Sequence, residues 1–265
     1  MTNIQVIILS IVQGVTEFFP ISSSGHLVVL EHFMSLPVEA MRSFDVSLHL
    51  GSFLSVVVYF WADYMGVIKE SLDMLKEKNW GALLKSRIFY FFIGSIPAVI
   101  VGLLLNDIFD DNFRQIWVIT LTMIGVAFYF LIAEKYKKTD GTLNLKKVIL
   151  IGIAQAVAII PGVSRSGATI STGILSGLKR EEAAKFSFML GSIAVFGAFL
   201  LTVIKEPLLS ANLSLFHLIL GVALSFFSSI LSIHYLLKIL KKYSLRVFAY
   251  YRFFVGAILI FMMFL

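Results

Sequence analysis

A chain of 265 residues that is 58% hydrophobic and only 14% charged, with a mean hydropathy of +0.92, lies outside the range of soluble domains, in which charged residues alone make up about a quarter of the sequence. It has no cysteine, which excludes disulfides, thiolate chemistry and cysteine-ligated metals. The net charge of +6 comes from short basic clusters between apolar stretches and not from one basic face, so lipid headgroups are the expected anionic surroundings and nucleic acid is excluded as a partner.

Apolar segments are predicted over 4–19, 25–36, 46–62, 88–106, 115–133, 148–160, 166–178, 186–204, 215–237 and 249–265. The first basic residue is Arg42, so the opening segment lacks the charged start of a cleavable signal and is expected to be retained. A bilayer span takes about 20 helical residues. The pairs 4–19 with 25–36, and 148–160 with 166–178, fall short of that and are interrupted by Pro, Gly and Ser, which predicts broken or re-entrant helix pairs. The other six segments are predicted spans, and the fold class is an all-α polytopic membrane protein.

The two broken pairs resemble each other. Pro20-Ile-Ser-Ser-Ser-Gly-His26 aligns with Pro161-Gly-Val-Ser-Arg-Ser-Gly167, and Ser47-Leu-His-Leu-Gly-Ser52 aligns with Ser187-Phe-Met-Leu-Gly-Ser192, at offsets of 140 to 142. A single membrane domain, 1–265, is therefore predicted to hold two repeats, 1–133 and 134–265, each with one broken pair followed by three transmembrane helices. An odd number of crossings turns the second copy upside down, giving an inverted-topology repeat. If each broken pair returns to the side it entered from, the loops 63–87, 134–147, 179–185 and 238–248 share one side and carry 17 Lys and Arg, against Arg42, Arg114 and Lys205 on the other. Counting each pair as one crossing removes the asymmetry. The positive-inside rule favours the first arrangement, with both termini outside.

The first break reads Gln13-Gly-Val-Thr-Glu17-Phe-Phe-Pro20-Ile-Ser22-Ser23-Ser24-Gly25-His26. A carboxylate at membrane depth is costly, which makes Glu17 a candidate functional residue. Gln13 shares its helical face, Ser22 to Ser24 suit the N-cap of a helix starting near Gly25, and His26 lies one turn from Ser23. The second break places Arg165 between Ser164 and Ser166, with Thr169 one turn on; a guanidinium fork suits phosphate oxygens. Any one of these residues has a packing explanation, but their concentration in two helix breaks points to a site. Asp45 and His49, four apart at the start of a span, could form an accessory polar pair, but a packing role is the preferred reading.

The first break resembles the motif (E/Q)-G-x-T-E-F-x-P-x-S-S-x-G-H of the BacA-type undecaprenyl-diphosphatases, and the second resembles their P-G-x-S-R-S-G-A-T. The similarity runs over essentially the whole chain, including Gly94-Ser-Ile-Pro-Ala98. The resemblance implies hydrolysis of undecaprenyl diphosphate to the monophosphate in the bacterial plasma membrane, recycling the carrier lipid of peptidoglycan synthesis and conferring bacitracin resistance, with a divalent cation, Mg²⁺ or Ca²⁺. It also implies Glu17 as metal ligand or general base, Ser23 as nucleophile, His26 as base or nucleophile, and Arg165 as diphosphate binder. Gln13, Ser22, Ser24, Ser164, Ser166 and Thr169 are then expected to line the substrate site. Gln13 stands where many members have Glu, which leaves Glu17 as the metal residue. Whether Ser23 or His26 attacks phosphorus stays open, and a homodimer is the assembly considered. The rival is a flippase or anion transporter, for which paired helix breaks are also apt. A transporter needs no nucleophile, so Ser23 and His26 beside Glu17 favour an enzyme.

Overall fold

The computed structural model describes residues 1–36, 41–113, 115–138, 141–205 and 214–264, and among them there is no strand. These described residues form α1 (Asn3–Phe18), α2 (Ser23–Phe33), α3 (Arg42–Tyr59), α4 (Trp61–Lys76), α5 (Trp80–Leu83), α6 (Arg87–Phe113), α7 (Ile116–Lys135), α8 (Leu145–Val157), α9 (Arg165–Leu175), α10 (Arg180–Lys205), α11 (Leu215–Lys242) and α12 (Arg246–Met262).

The two broken pairs are α1 with α2 and α8 with α9. A capping box opens α1: Thr2 Oγ1 accepts from Gln5 N at 3.3 Å while Thr2 N donates to Gln5 Oε1 at 2.8 Å. It ends because Phe19, which precedes Pro20, is extended, with ψ 135°. Asn144 caps α8 by accepting from Lys147 N at 3.1 Å, and that helix stops short of Pro161. With 16 and 13 residues, α1 and α8 reach only about 20–24 Å at 1.5 Å per residue, less than the hydrocarbon thickness of about 30 Å.

Arg87–Leu104 in α6, α7, Arg180–Ile204 in α10 and α11 are long and apolar enough to cross a membrane, and the pair α3–α4, bent by 68°, counts as a fifth candidate. The sequence predicts six. The sixth, α12, has 17 residues, about 25 Å of helix. Segment 63–87, read from the sequence as a loop, is mostly helical. In α4, Trp61, Met65, Ile68, Leu72 and Leu75 repeat at alternating spacings of four and three on an exposed face, and the charges between them lower the average hydropathy that conceals this pattern. Asp63 of α4 pairs with Lys185 of α10 at 2.5 Å. Of the three cations expected on the sparsely charged side, Arg114 and the side chains of Arg42 and Lys205 lie outside the described residues.

Both α1 and α3 lie against α11, α8 lies against α6, α12 lies against α7, and α10 contacts α3, α6 and α9. Helices in lipid associate through close packing of small residues. A Cβ on Gly51 would sit 2.4 Å from Val222 O, and one on Gly152 would sit 2.6 Å from Gly94 O, so α3–α11 and α8–α6 meet backbone to backbone. Between α3 and α11, Ser52 Oγ is 3.2 Å from Ser225 Oγ and 3.1 Å from Ser229 Oγ. This packing leaves α1, α3, α9 and α10 converging on the two breaks.

Candidate active site

Both breaks use the same local device. Ser22 and Ser164 adopt positive φ, 76° and 72°, and their hydroxyls accept from Gly25 N at 3.2 Å and Gly167 N at 3.1 Å, capping α2 and α9. Each short helix therefore begins at a sharp reversal, and its first residue, Ser23 in one and Arg165 in the other, is directed to the last turn of α1. Glu17 is there, 7% exposed. Its Oε1 accepts from Arg165 Nη2 at 2.6 Å, and its Oε2 accepts from Ser23 Oγ at 2.6 Å and from Gln13 Nε2 at 3.0 Å.

The remaining predicted residues divide by what they hold. Ser166 Oγ donates to Glu17 O at 3.2 Å, tying the second break to the first. Thr169 Oγ1 donates to Arg165 O at 2.7 Å and lies 2.5 Å from Ser187 Oγ, bracing the helix that carries the guanidinium. Arg165 Nη1 donates to Gly191 O of α10. His26 is held at both ring nitrogens: Nδ1 is 2.7 Å from Ser22 O, and Nε2 is 2.8 Å from Tyr251 OH. A carbonyl only accepts, so Nδ1 is the donor, and in the neutral ring Nε2 accepts a hydrogen bond from Tyr251 OH. Tyr251 also stacks on the imidazole, with centroids 5.8 Å apart.

His49 departs from the packing reading. Its Nδ1 is 2.7 Å from Asp45 O, which turns Nε2 toward Glu17 Oε2 at 3.6 Å. Its sequence signals are its spacing of four from Asp45 and its place in the Ser47–Ser52 repeat match, where Met189 replaces it in the second copy. Arg252 also went unread, being one cation inside an apolar helix. It is fully buried and donates to Gly162 O at 2.6 Å and Met123 O at 3.0 Å, with Pro20 O at 3.4 Å, so one guanidinium reaches both breaks.

A cavity of ≈ 600 Å³ opens beside this cluster. Ser24, Asp45, His49, Gln155 and Arg165 supply polar lining, while Leu27, Val28, Ile159, Ile193 and Leu201 belong to its apolar walls. Such a space accepts an apolar chain carrying an anionic group. Among the described residues no three His, Cys, Asp or Glu converge as a metal cluster. Glu17 and the buried Gln13 Oε1, which has no hydrogen-bond partner, are oxygen donors of the kind that hold Mg²⁺ through one carboxylate together with substrate phosphates. The donor set fits a cation shared with a diphosphate.

The sequence profile of the family described as bacitracin resistance protein BacA matches residues 6–258. The chain is 38% identical over 270 residues to a protein named undecaprenyl-diphosphatase from Caldicellulosiruptor bescii, covering 98% of this chain and 97% of that one. It is 39% identical over 257 residues to one of the same name from Thermodesulfovibrio yellowstonii, covering 96% and 94%. With the one from Alteromonas mediterranea it shares 39% identity over 272 residues, covering 100% of both.

Proposed function

The chain belongs to the bacitracin resistance protein BacA family, and from that membership and the site geometry we propose that it hydrolyses undecaprenyl diphosphate to undecaprenyl phosphate and inorganic phosphate. The product is the carrier lipid that peptidoglycan synthesis reuses, which connects the activity to bacitracin resistance. The observation that carries this reading is Glu17, which accepts from Ser23 on one oxygen and from Arg165 on the other beside a largely apolar cavity.

In the proposed reaction Ser23 Oγ attacks the terminal phosphorus, and its proton passes to Glu17 Oε2, to which it already donates. The bond from that phosphorus to the bridging oxygen breaks, and undecaprenyl phosphate departs. Water then attacks the phosphoserine phosphorus and the bond to Ser23 Oγ breaks: Glu17 returns its proton to Ser23 Oγ, and both protons of the water leave on inorganic phosphate as H₂PO₄⁻. Arg165 binds the diphosphate oxygens with guanidinium N–H groups that Glu17 and Gly191 leave free. Ser23 is favoured over His26 as nucleophile because both His26 nitrogens are engaged, by Ser22 O and Tyr251 OH. Glu17, with Gln13, would hold a Mg²⁺ or Ca²⁺ ion, which supplies neutralisation of charge on the phosphate oxygens.

The architecture proposed for this site is an inverted repeat of 1–133 and 134–265 in the plasma membrane, with both termini outside. The matched caps at Ser22 and Ser164 support it. So does reciprocal packing: α3 meets α10, α7 meets α12, α1 lies on α11 and α8 lies on α6.

The test is phosphate release from undecaprenyl diphosphate by purified protein with Mg²⁺ or Ca²⁺, beside folded Glu17→Gln and Arg165→Ala variants. Release by the wild type and its loss in both variants is expected. No release from folded, metal-loaded protein, with lipid flipping in liposomes, would move the assignment to a transporter.

A further inference from the structure

Gln155, on α8, carries a buried carboxamide that nothing in the protein uses. It is 2% exposed, and neither Nε2 nor Oε1 has a hydrogen-bond partner. In contrast, Gln13 uses its Nε2 to bind Glu17. At membrane depth an amide with both ends unmet is costly, and a group retained at such cost calls for a ligand or a trapped water. Gln155 lines the cavity of ≈ 600 Å³ together with Ala158 and Ile159 of the turn that follows it, and with Ser24, His49 and Arg165 from other helices. In the sequence it stands 142 residues after Gln13, the offset that relates Gly25 to Gly167. It is the second half's counterpart of the residue that serves Glu17 in the first.

Resting on the phosphatase reading above, we propose that Gln155 is a phosphate-contacting residue of the substrate site. Its Nε2 donates to a diphosphate oxygen, while its Oε1 accepts from a protonated phosphate oxygen or from a water carried with the headgroup. A carboxamide meets both needs, where a second guanidinium could only donate. Gln155 makes no bond to Ser23 or Glu17, so it acts on binding of the diphosphate more than on its cleavage.

The experiment measures phosphate release against undecaprenyl diphosphate concentration in detergent micelles for full-length wild type, Gln155→Leu and Gln155→Glu, with thermal unfolding of each protein. We expect Gln155→Leu to raise KM by about tenfold while kcat stays within about threefold of wild type. Its Tm should be unchanged or higher, because an apolar side chain replaces an unmet amide. Gln155→Glu keeps the size, sets a like charge against the diphosphate, and should raise KM further. Should the leucine variant not fold, the glutamate variant decides alone. Wild-type KM in the folded variants overturns the proposal, as does a lowered Tm with unchanged KM, the mark of an amide that only binds a structural water. Absence of phosphate release from the wild type is separately recognisable as failure of the phosphatase reading, and the proposal falls with it.

Discussion

Ser23 and Arg165, the first residues of two short helices 142 positions apart in the chain, close on the two different oxygens of one carboxylate, each at 2.6 Å from Glu17. Each half of the molecule contributes one of them. The serine donates to the carboxylate, and the guanidinium is oriented by it, so a single buried anion holds the proposed nucleophile and the proposed phosphate binder together.

Replacing that anion is the most direct test. Glu17→Gln keeps the shape but removes the proton acceptor for Ser23 and the counter-charge for Arg165. Phosphate release should fall by about 10²–10⁴-fold with KM also raised, since Arg165 loses its orientation. Activity within a few-fold of wild type, from protein that elutes as a single folded species, contradicts the role given to Glu17.

Ser23→Ala should abolish turnover, whereas Tyr251→Phe should lower it by less than about tenfold, because it deletes one orienting hydrogen bond to His26. Acid quenching of a reaction with terminally ³²P-labelled substrate should leave label on Ser23. Label recovered on His26 under alkaline quenching would reverse the assignment of nucleophile.

If Glu17 and the diphosphate share a cation, chelation should remove activity, and Mg²⁺ or Ca²⁺ should restore it. Gln13→Glu adds a second carboxylate beside the first and should lower the metal concentration needed for half-maximal activity. An unchanged metal requirement in that variant would remove Gln13 from the cation site.

Ser24 lines the cavity, and the chain has no native cysteine, so Ser24→Cys carries a single thiol. With the first break entering from the outer face, a membrane-impermeant maleimide should label it in intact cells, and undecaprenyl diphosphate should protect it. Labelling confined to inside-out vesicles would invert the proposed orientation.

Far from the site, Glu134 of α7 accepts from Arg180 Nε at 2.8 Å and from Leu245 N at 2.9 Å, joining α7, α10 and the start of α12. Arg180→Met leaves a buried carboxylate, its side chain 2% exposed, with only the more distant Lys137, 4.0 Å away, as a charge partner. The expected loss is roughly 3 kcal/mol of stability, read from unfolding in detergent, with KM unchanged in the folded fraction. An unfolding curve that overlays the wild type would show that this ion pair contributes nothing net.

Much of the site was legible because membrane sequence is sparing with polar groups. In apolar surroundings Glu17 and Arg165 stand out, and proline with serine marks where the helices stop. The roles within the breaks were less legible. Ser22 caps α2 as its place before Gly25 predicted, but Ser164 also proved to be a cap and Thr169 braces backbone, because hydroxyls in loose backbone bond locally before they meet a substrate. His26 is paired with Tyr251, 225 positions away, a contact that no local spacing encodes.

The sequence by itself determined the class of the protein, its apolar helices and their two breaks, though not the amphipathic α4, since hydropathy, proline and capping residues act over a few positions and the bilayer permits few alternatives to helix. It also identified Glu17, Ser23 and Arg165 as the residues of interest. Only the tertiary structure decided which groups meet. His49 reaches Glu17 because α3 packs beside α1, Arg252 spans both breaks because α12 lies on α7, and Gln155 opens on the cavity beside Arg165. These relations depend on how helices distant in sequence pack through small residues such as Gly51 and Gly152, and helix packing is a property of surfaces in contact that no single segment carries.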